Sequence, residues 1–275
     1  MSSIEPRSGV GALDREFGRT ASAAELRLHL MTAPQEFVSG AAENPAMGID
    51  EWAALLRNRS TPESVLRGIA GDRGLTANYV VRRSLVQHPK TPLAVARRFL
   101  PFLYWKDLLE LSLAPAAPPA VQRQAEQMLR GRLGEMALGE QISLARRAGR
   151  ALVLSLSASR HDCVLQALLG NPRLAEADAA RIAGRRTTPV ETLGRLALHH
   201  RWSSRRRVQL ALIENPSTPR HAALALMSRL DARDLQQVAG SDNVPRFIRV
   251  GAIRHLQRTT AKTAAPAAGP GVRSR

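Results

Sequence analysis

From Glu51 to about Gln257, apolar residues recur three and four positions apart, the spacing of one helix face. Within 203–227, Val208, Ala211 and Leu212 form one stripe, and Ala222, Ala225, Leu226 and Leu230 form the next. Between the two stands Asn215-Pro216-Ser217-Thr218-Pro219. Pro216 cannot continue a helix. Asn215 suits the left-handed residue that closes one. Thr218 is the expected N-cap, and Pro219 the first helical residue. The same Thr-Pro pair recurs at Thr61-Pro62, Thr91-Pro92 and Thr188-Pro189. This punctuation predicts helices over 62–70, 77–87, 92–102, 106–113, 119–130, 139–149, 162–169, 174–183, 189–198, 204–213, 219–229, 232–239 and 245–257.

The chain also repeats itself. Shifted by 127 residues, 55–129 lies on 182–256 without a gap. The register matches Thr61 with Thr188, Pro62 with Pro189, Leu85 with Leu212, Pro89 with Pro216, Thr91 with Thr218 and Asp107 with Asp234. A weaker copy at 163–183 matches 207–227 at an offset of 44. Anchor prolines Pro89, Pro172 and Pro216 then imply a unit of roughly forty residues.

Short helices joined by tight turns must pack on their sequence neighbours. The expected fold is all-α, a right-handed α-solenoid of short antiparallel helix pairs over 49–258. Residues 1–48 show little sustained pattern beyond a short helix near 23–31 and read as a flexible arm. Residues 259–275, rich in Pro, Gly and Ala, read as a disordered basic tail. The helix pairs with their "NPSTP" turns resemble HEAT-like (armadillo-like) α-helical repeats, and the turns are similar to the "NPxTP" turns of bacterial leucine-rich-repeat-variant proteins. The resemblance implies a binding scaffold and brings no catalytic residue with it. A small group on such scaffolds comprises DNA glycosylases.

Composition narrows the function. Forty-four per cent of the residues are hydrophobic but only 4% are aromatic, so the core is aliphatic. The formal charge is +17, and only Lys90, Lys106 and Lys262 are lysines among forty cations, as a GC-rich genome would encode. A basic body suits an acidic partner. Cys163 is the single cysteine, which leaves no internal disulfide and fits a reducing cytoplasm. It falls at the place of Val80 in the repeat and reads as a buried structural thiol. No stretch is apolar for long enough to cross a bilayer, and the first twenty residues lack a secretory h-region.

Nucleotide-loop, zinc-protease and serine-hydrolase motifs do not occur. His199 and His200, as helix neighbours, should diverge. Asp107 and Asp234, early in equivalent helices, read as partners of the helix dipole. The arginine clusters carry the functional expectation: Arg82 and Arg83; Arg146, Arg147 and Arg150; Arg205, Arg206 and Arg207. On stacked helices they would form one ridge for carboxylates or phosphates. Trp202, beside the last cluster, is a candidate hot spot; Tyr104 and Trp105 are the other prominent aromatics. The reading is therefore a non-enzymatic scaffold without cofactor or metal, whose expected partner is another protein. The alternatives are nucleic acid or another polyanion on the arginine face and, after it, a DNA-glycosylase-like enzyme on a HEAT-like scaffold.

Overall fold

A computed structural model describes residues 14–264. The described residues form nineteen α-helices and no strand. They fall into two units, divided between Arg132 and Leu133. The first holds α1 Arg15–Thr20, α2 Ala23–His29, α3 Gln35–Ala41, α4 Ile49–Leu55, α5 Glu63–Gly71, α6 Arg73–Ala77 and α7 Tyr79–Gln87. α8 Leu93–Phe99 follows, then a 3-10 turn at Leu100–Phe102, α9 Trp105–Leu113 and α10 Pro119–Arg132. The second holds α11 Leu138–Arg147, α12 Arg150–Leu156, α13 Asp162–Leu169, α14 Glu176–Gly184 and α15 Val190–Leu198. It ends with α16 Arg206–Glu214, α17 Arg220–Met227, α18 Ala232–Gly240 and α19 Arg246–Ala264.

All thirteen helices expected from the apolar spacing are present. Three differences have physical causes. Residues 14–48, expected as a flexible arm, form three helices with buried Leu26, Leu30, Phe37, Val38 and Ala41. The helices are too short to show a periodic pattern, but a capping box at Ser22 and Glu25 starts α2. α1 and α3 also approach closely: a Cβ on Gly40 would lie 1.9 Å from the Arg15 carbonyl oxygen. Second, α4, α6 and α12 were not expected; α6 has only five residues, and the α12 run "RALVLSL" is apolar almost all round and shows no stripe. Third, α19 runs on to Ala264. The rest of the expected tail lies outside the described residues, as do residues 1–13.

The capping chemistry also differs from expectation. Proline, not threonine, is the N-cap at Pro62, Pro92, Pro189 and Pro219. Its fixed φ fits an extended residue, and its lack of an N–H costs nothing there. The threonine before it turns back. Thr61 and Thr91 donate to the carbonyls of Leu55 (2.8 Å) and Leu85 (2.5 Å), and Thr188 donates to Ile182 (2.6 Å). Each thereby satisfies a carbonyl at the end of the preceding helix, where no intrahelical donor remains. Thr218 is buried in the same place, but its hydroxyl finds no partner.

Asn215 is not left-handed; its φ is −79° and its ψ 117°. Its amide instead reaches back to the end of α14, donating to the carbonyls of Ala183 (2.6 Å) and Arg185 (3.0 Å). Its Oδ1 accepts the N–H of Ser217 at 2.9 Å. The arrangement recurs. Asn44 bonds Gly18 and Ala21, Asn58 bonds Leu30 and Ala33, and Asn171 bonds Ala145 and Ala148. His88 does the same with a ring: Nε2 lies 3.0 Å from the Asn58 carbonyl, and Nδ1 accepts the Lys90 N–H at 3.2 Å. A buried Asn or His thus ties the end of each of these helices to the end of an earlier one.

A second tie joins helix starts. Tyr79 of α7 donates to Asp107 of α9, Arg150 of α12 to Asp178 of α14, and Arg206 of α16 to Asp234 of α18. Each pair is 28 residues apart. In each, the donor opens its helix and the acid is the third residue of the next helix but one. The forty-residue unit inferred from the 44-residue offset spans three helices, α14, α15 and α16. The hydrogen-bonded ties are shorter because they link every second helix. In the second unit α11, α13, α15, α17 and α19 pack in that order, each on the next.

Candidate interaction site

The structure separates the candidate arginines into locks and free cations. Arg150 and Arg206 hold the side chains of Asp178 and Asp234, which are almost wholly buried. Burial tends to raise Asp178, but hydrogen bonds from Arg150 and the Ala175 N–H, with the charges of Arg150 and Arg181, outweigh it. They hold the carboxyl below its ordinary range. Asp234 is also held low, chiefly by the hydrogen bond from Arg206. Arg83 pairs with Asp107 through Nε at 2.7 Å and with Glu110 at 3.1 Å. These three guanidiniums bind helix to helix. Arg146, Arg147, Arg205 and Arg207 are exposed and form no ion pair among the described residues.

Trp202 is not a surface hot spot. It is 2% exposed, its indole N–H donates to the Leu169 carbonyl at 3.0 Å, and the Arg201 guanidinium covers its ring at 4.2 Å. His199 and His200 do not diverge. His199 ends α15, so the pair leaves the helix and its rings stack 4.7 Å apart. Among the described residues no group of three acidic, His or Cys side chains is placed to hold a metal. No described helix is long and apolar enough to cross a membrane.

Two grooves lie at equivalent places of the repeat. One, about 620 Å3, runs between α11 and α13 and is lined by Ile142, Arg146, Cys163, Gln166, Ala167 and Gly170. Cys163 is half-buried there, not in the core as expected. The other, about 300 Å3, lies between the end of α4 and α7, with Arg57 and Arg59 on one wall. Val80, Arg83, Ser84 and Gln87 form its other wall. Moved by 83 residues, Arg59, Val80, Arg83, Ser84 and Gln87 fall on Ile142, Cys163, Gln166, Ala167 and Gly170. The repeat therefore makes the same groove twice and lines it differently. The α7 copy is bordered by three arginines.

Beside that groove, α7 also carries an aromatic cluster. Tyr79 stacks against Tyr104 with ring centroids 4.5 Å apart. The Tyr79 hydroxyl donates to Asp107 and accepts the Tyr104 N–H at 3.1 Å. Burial and the Asp107 carboxylate push this phenol up to about 12, so it stays protonated as a donor. Arg82 lies between two rings, 5.9 Å from the centre of Tyr79 and 5.7 Å from that of Phe102. It forms no ion pair, and its buried Nε has no hydrogen-bond partner. Phe102 and Tyr104 are 59% and 66% exposed. Arg132 fixes the loop beneath them by donating to the carbonyls of Leu103 (2.8 Å) and Pro101 (2.6 Å).

Of the residues singled out from sequence, Arg82, Arg83 and Tyr104 meet here, with Trp105 next in the chain. Arg57, Arg59, Tyr79 and Phe102 were missed. They are spread over the turn after α4, α7 and the turn after α8, and no local motif joins them. The signal that existed was the 28-residue spacing of Tyr79 and Asp107, repeated by Arg206 and Asp234. Comparisons of the chain with protein-family models, curated proteins and solved structures return no match.

Proposed function

We propose that the chain is a non-enzymatic α-helical repeat scaffold, a right-handed solenoid of HEAT-like type, that holds another protein along the α7 groove. The observation that carries this reading is the pairing of rigidity with exposure. Buried Asn and acid ties lock the helices, while Phe102 and Tyr104 stand open on a braced loop beside the half-buried Arg82 of α7. Aromatic and arginine side chains presented together, on an element that need not order on binding, are the usual anchors of protein interfaces.

The test is affinity capture by the full chain against a variant carrying Arg59→Glu and Phe102→Ser. Both sites are exposed, so the variant should keep the wild-type melting profile. A partner protein recovered in stoichiometric amount with the wild type should be lost with the variant. Identical recovery by both would refute the placement of the interface.

A second reading has its own support. Residues 133–275 carry 23 Lys and Arg against 10 Asp and Glu, and Arg146, Arg147, Arg205 and Arg207 are exposed without ion pairs. Such a surface could neutralise phosphates, with affinity falling steeply as salt rises. Duplex DNA retained at low salt and released on replacing these four arginines with Ala would favour this reading.

A further inference from the structure

We infer that the α7 groove of the first unit recognises an acidic segment of a partner protein, whose apolar or aromatic side chain docks on Phe102 and Tyr104. This rests on the scaffold reading and names the chemistry of the partner.

The arginines stand on different segments, α7 and the turn after α4. Arg57 and Arg59 project from one wall with no ion pair among the described residues. Arg82 stands across α7 with its charge unneutralised. A guanidinium presents its donors in a planar fork that matches a carboxylate. Held between Tyr79 and Phe102, that of Arg82 loses little freedom on binding. Its rings also leave an apolar surface beside the charge, and exposed Val80 (44%) extends it toward the groove. Alternating carboxylates and apolar side chains complement this surface.

A single nucleic-acid strand would also suit rings beside arginines, but the charges nearby disfavour it. Asp107 and Glu110 lie on α9, directly after the aromatic loop, and occupy Arg83. A phosphate backbone is charged at every nucleotide and would meet these carboxylates as it passed the rings, whereas a peptide that sets an uncharged side chain there would not. The cation excess also lies elsewhere: residues 1–132 carry 17 Lys and Arg against 13 Asp and Glu. A strand would be drawn to the second unit. Spaced carboxylates need only the few free guanidiniums present.

The experiment pans a random twelve-residue peptide display library on the full chain, on Arg82→Ala and on Phe102→Ser/Tyr104→Ser. Enriched segments should carry a net negative charge and at least one aromatic or leucine residue. Peptides synthesised from them should bind each variant at least about tenfold more weakly, as for loss of a hot spot. Arg146→Ala, in the other groove, should bind them like wild type. A dodecamer of oligouridylate serves as the competing probe in the same anisotropy assay. Oligouridylate binding tighter than the peptides and abolished by Arg82→Ala would overturn the inference in favour of nucleic acid. Enrichment of neutral or basic segments, lost on both variants, would overturn the acidic chemistry yet leave the scaffold reading standing. Enrichment indifferent to both variants, or no enrichment, would overturn both.

Discussion

Asn171→Leu tests the idea that buried amides hold the helices in register. Asn171 is fully buried, and so are Ala145 and Ala148, whose carbonyls it bonds at 2.8 and 3.2 Å. Both carbonyls end α11 and have lost their intrahelical donors. Leucine keeps the branched skeleton without the amide, so hydrogen bonding is lost, and crowding by its bulkier methyls can only add to the cost. A buried carbonyl left without a donor costs about 1–3 kcal/mol. The Arg173 N–H, which the Asn171 Oδ1 accepts at 2.8 Å, belongs to an exposed residue and can turn to water. Two stranded carbonyls then predict a loss of about 2–6 kcal/mol. In a unit of this size that lowers the melting temperature by about 4–24 °C, at roughly 2–4 °C per kcal/mol. Urea titration followed by circular dichroism reads the change. Asn171→His is the control, because His88 already fills the equivalent position with one bond to a carbonyl and one from an N–H. It should lose clearly less than leucine. Asn171→Leu within about 0.5 kcal/mol of wild type, the range of an ordinary surface change, would refute the reasoning.

Two further perturbations follow from the ties. Arg150→Ala leaves the buried Asp178 carboxylate with Arg181 at 3.3 Å and the Ala175 N–H at 3.1 Å. A cost of about 2–3 kcal/mol is expected for a lost bond to a charged group; adding Asp178→Asn should recover part of it in a double-mutant cycle. His88 is held below the ordinary imidazole value of 6.5, first by burial and then by Lys90, against the Asn58 carbonyl. The unfolded chain therefore takes up more protons there than the folded one. The contribution of His88 is complete above pH 6.5 and declines as pH falls below it. His199, also lowered by burial, adds a loss of the same sign. The urea midpoint should fall between pH 7.5 and 5.5, and His88→Asn should flatten part of that fall; an unchanged slope would contradict the assignment.

Periodicity alone located thirteen helices, because a helix that buries one face must space its apolar residues by three and four. The 127-residue register was equally visible, since turn residues such as Thr61-Pro62 and Thr188-Pro189 recur in step with the apolar stripes. The sequence could not tell which way those turn residues act. Thr188 bonds backward to Ile182 and Pro189 caps forward, the reverse of what isolated capping preferences suggest. Nor could it separate Arg206, locked on Asp234, from its exposed neighbours Arg205 and Arg207. That distinction depends on an acid 28 residues away. Trp202 shows the same limit, for it looked like an anchor beside arginines and is instead packed on Leu169. The site around Arg82 is the clearest case. Its components come from the turn after α4, from α7 and from the loop after α8, and only the packing of α4 and α8 against α7 brings them together. Local order is set by short-range propensity and patterning. Which polar groups are spent inside the fold, and which are left for a partner, is decided by tertiary contact.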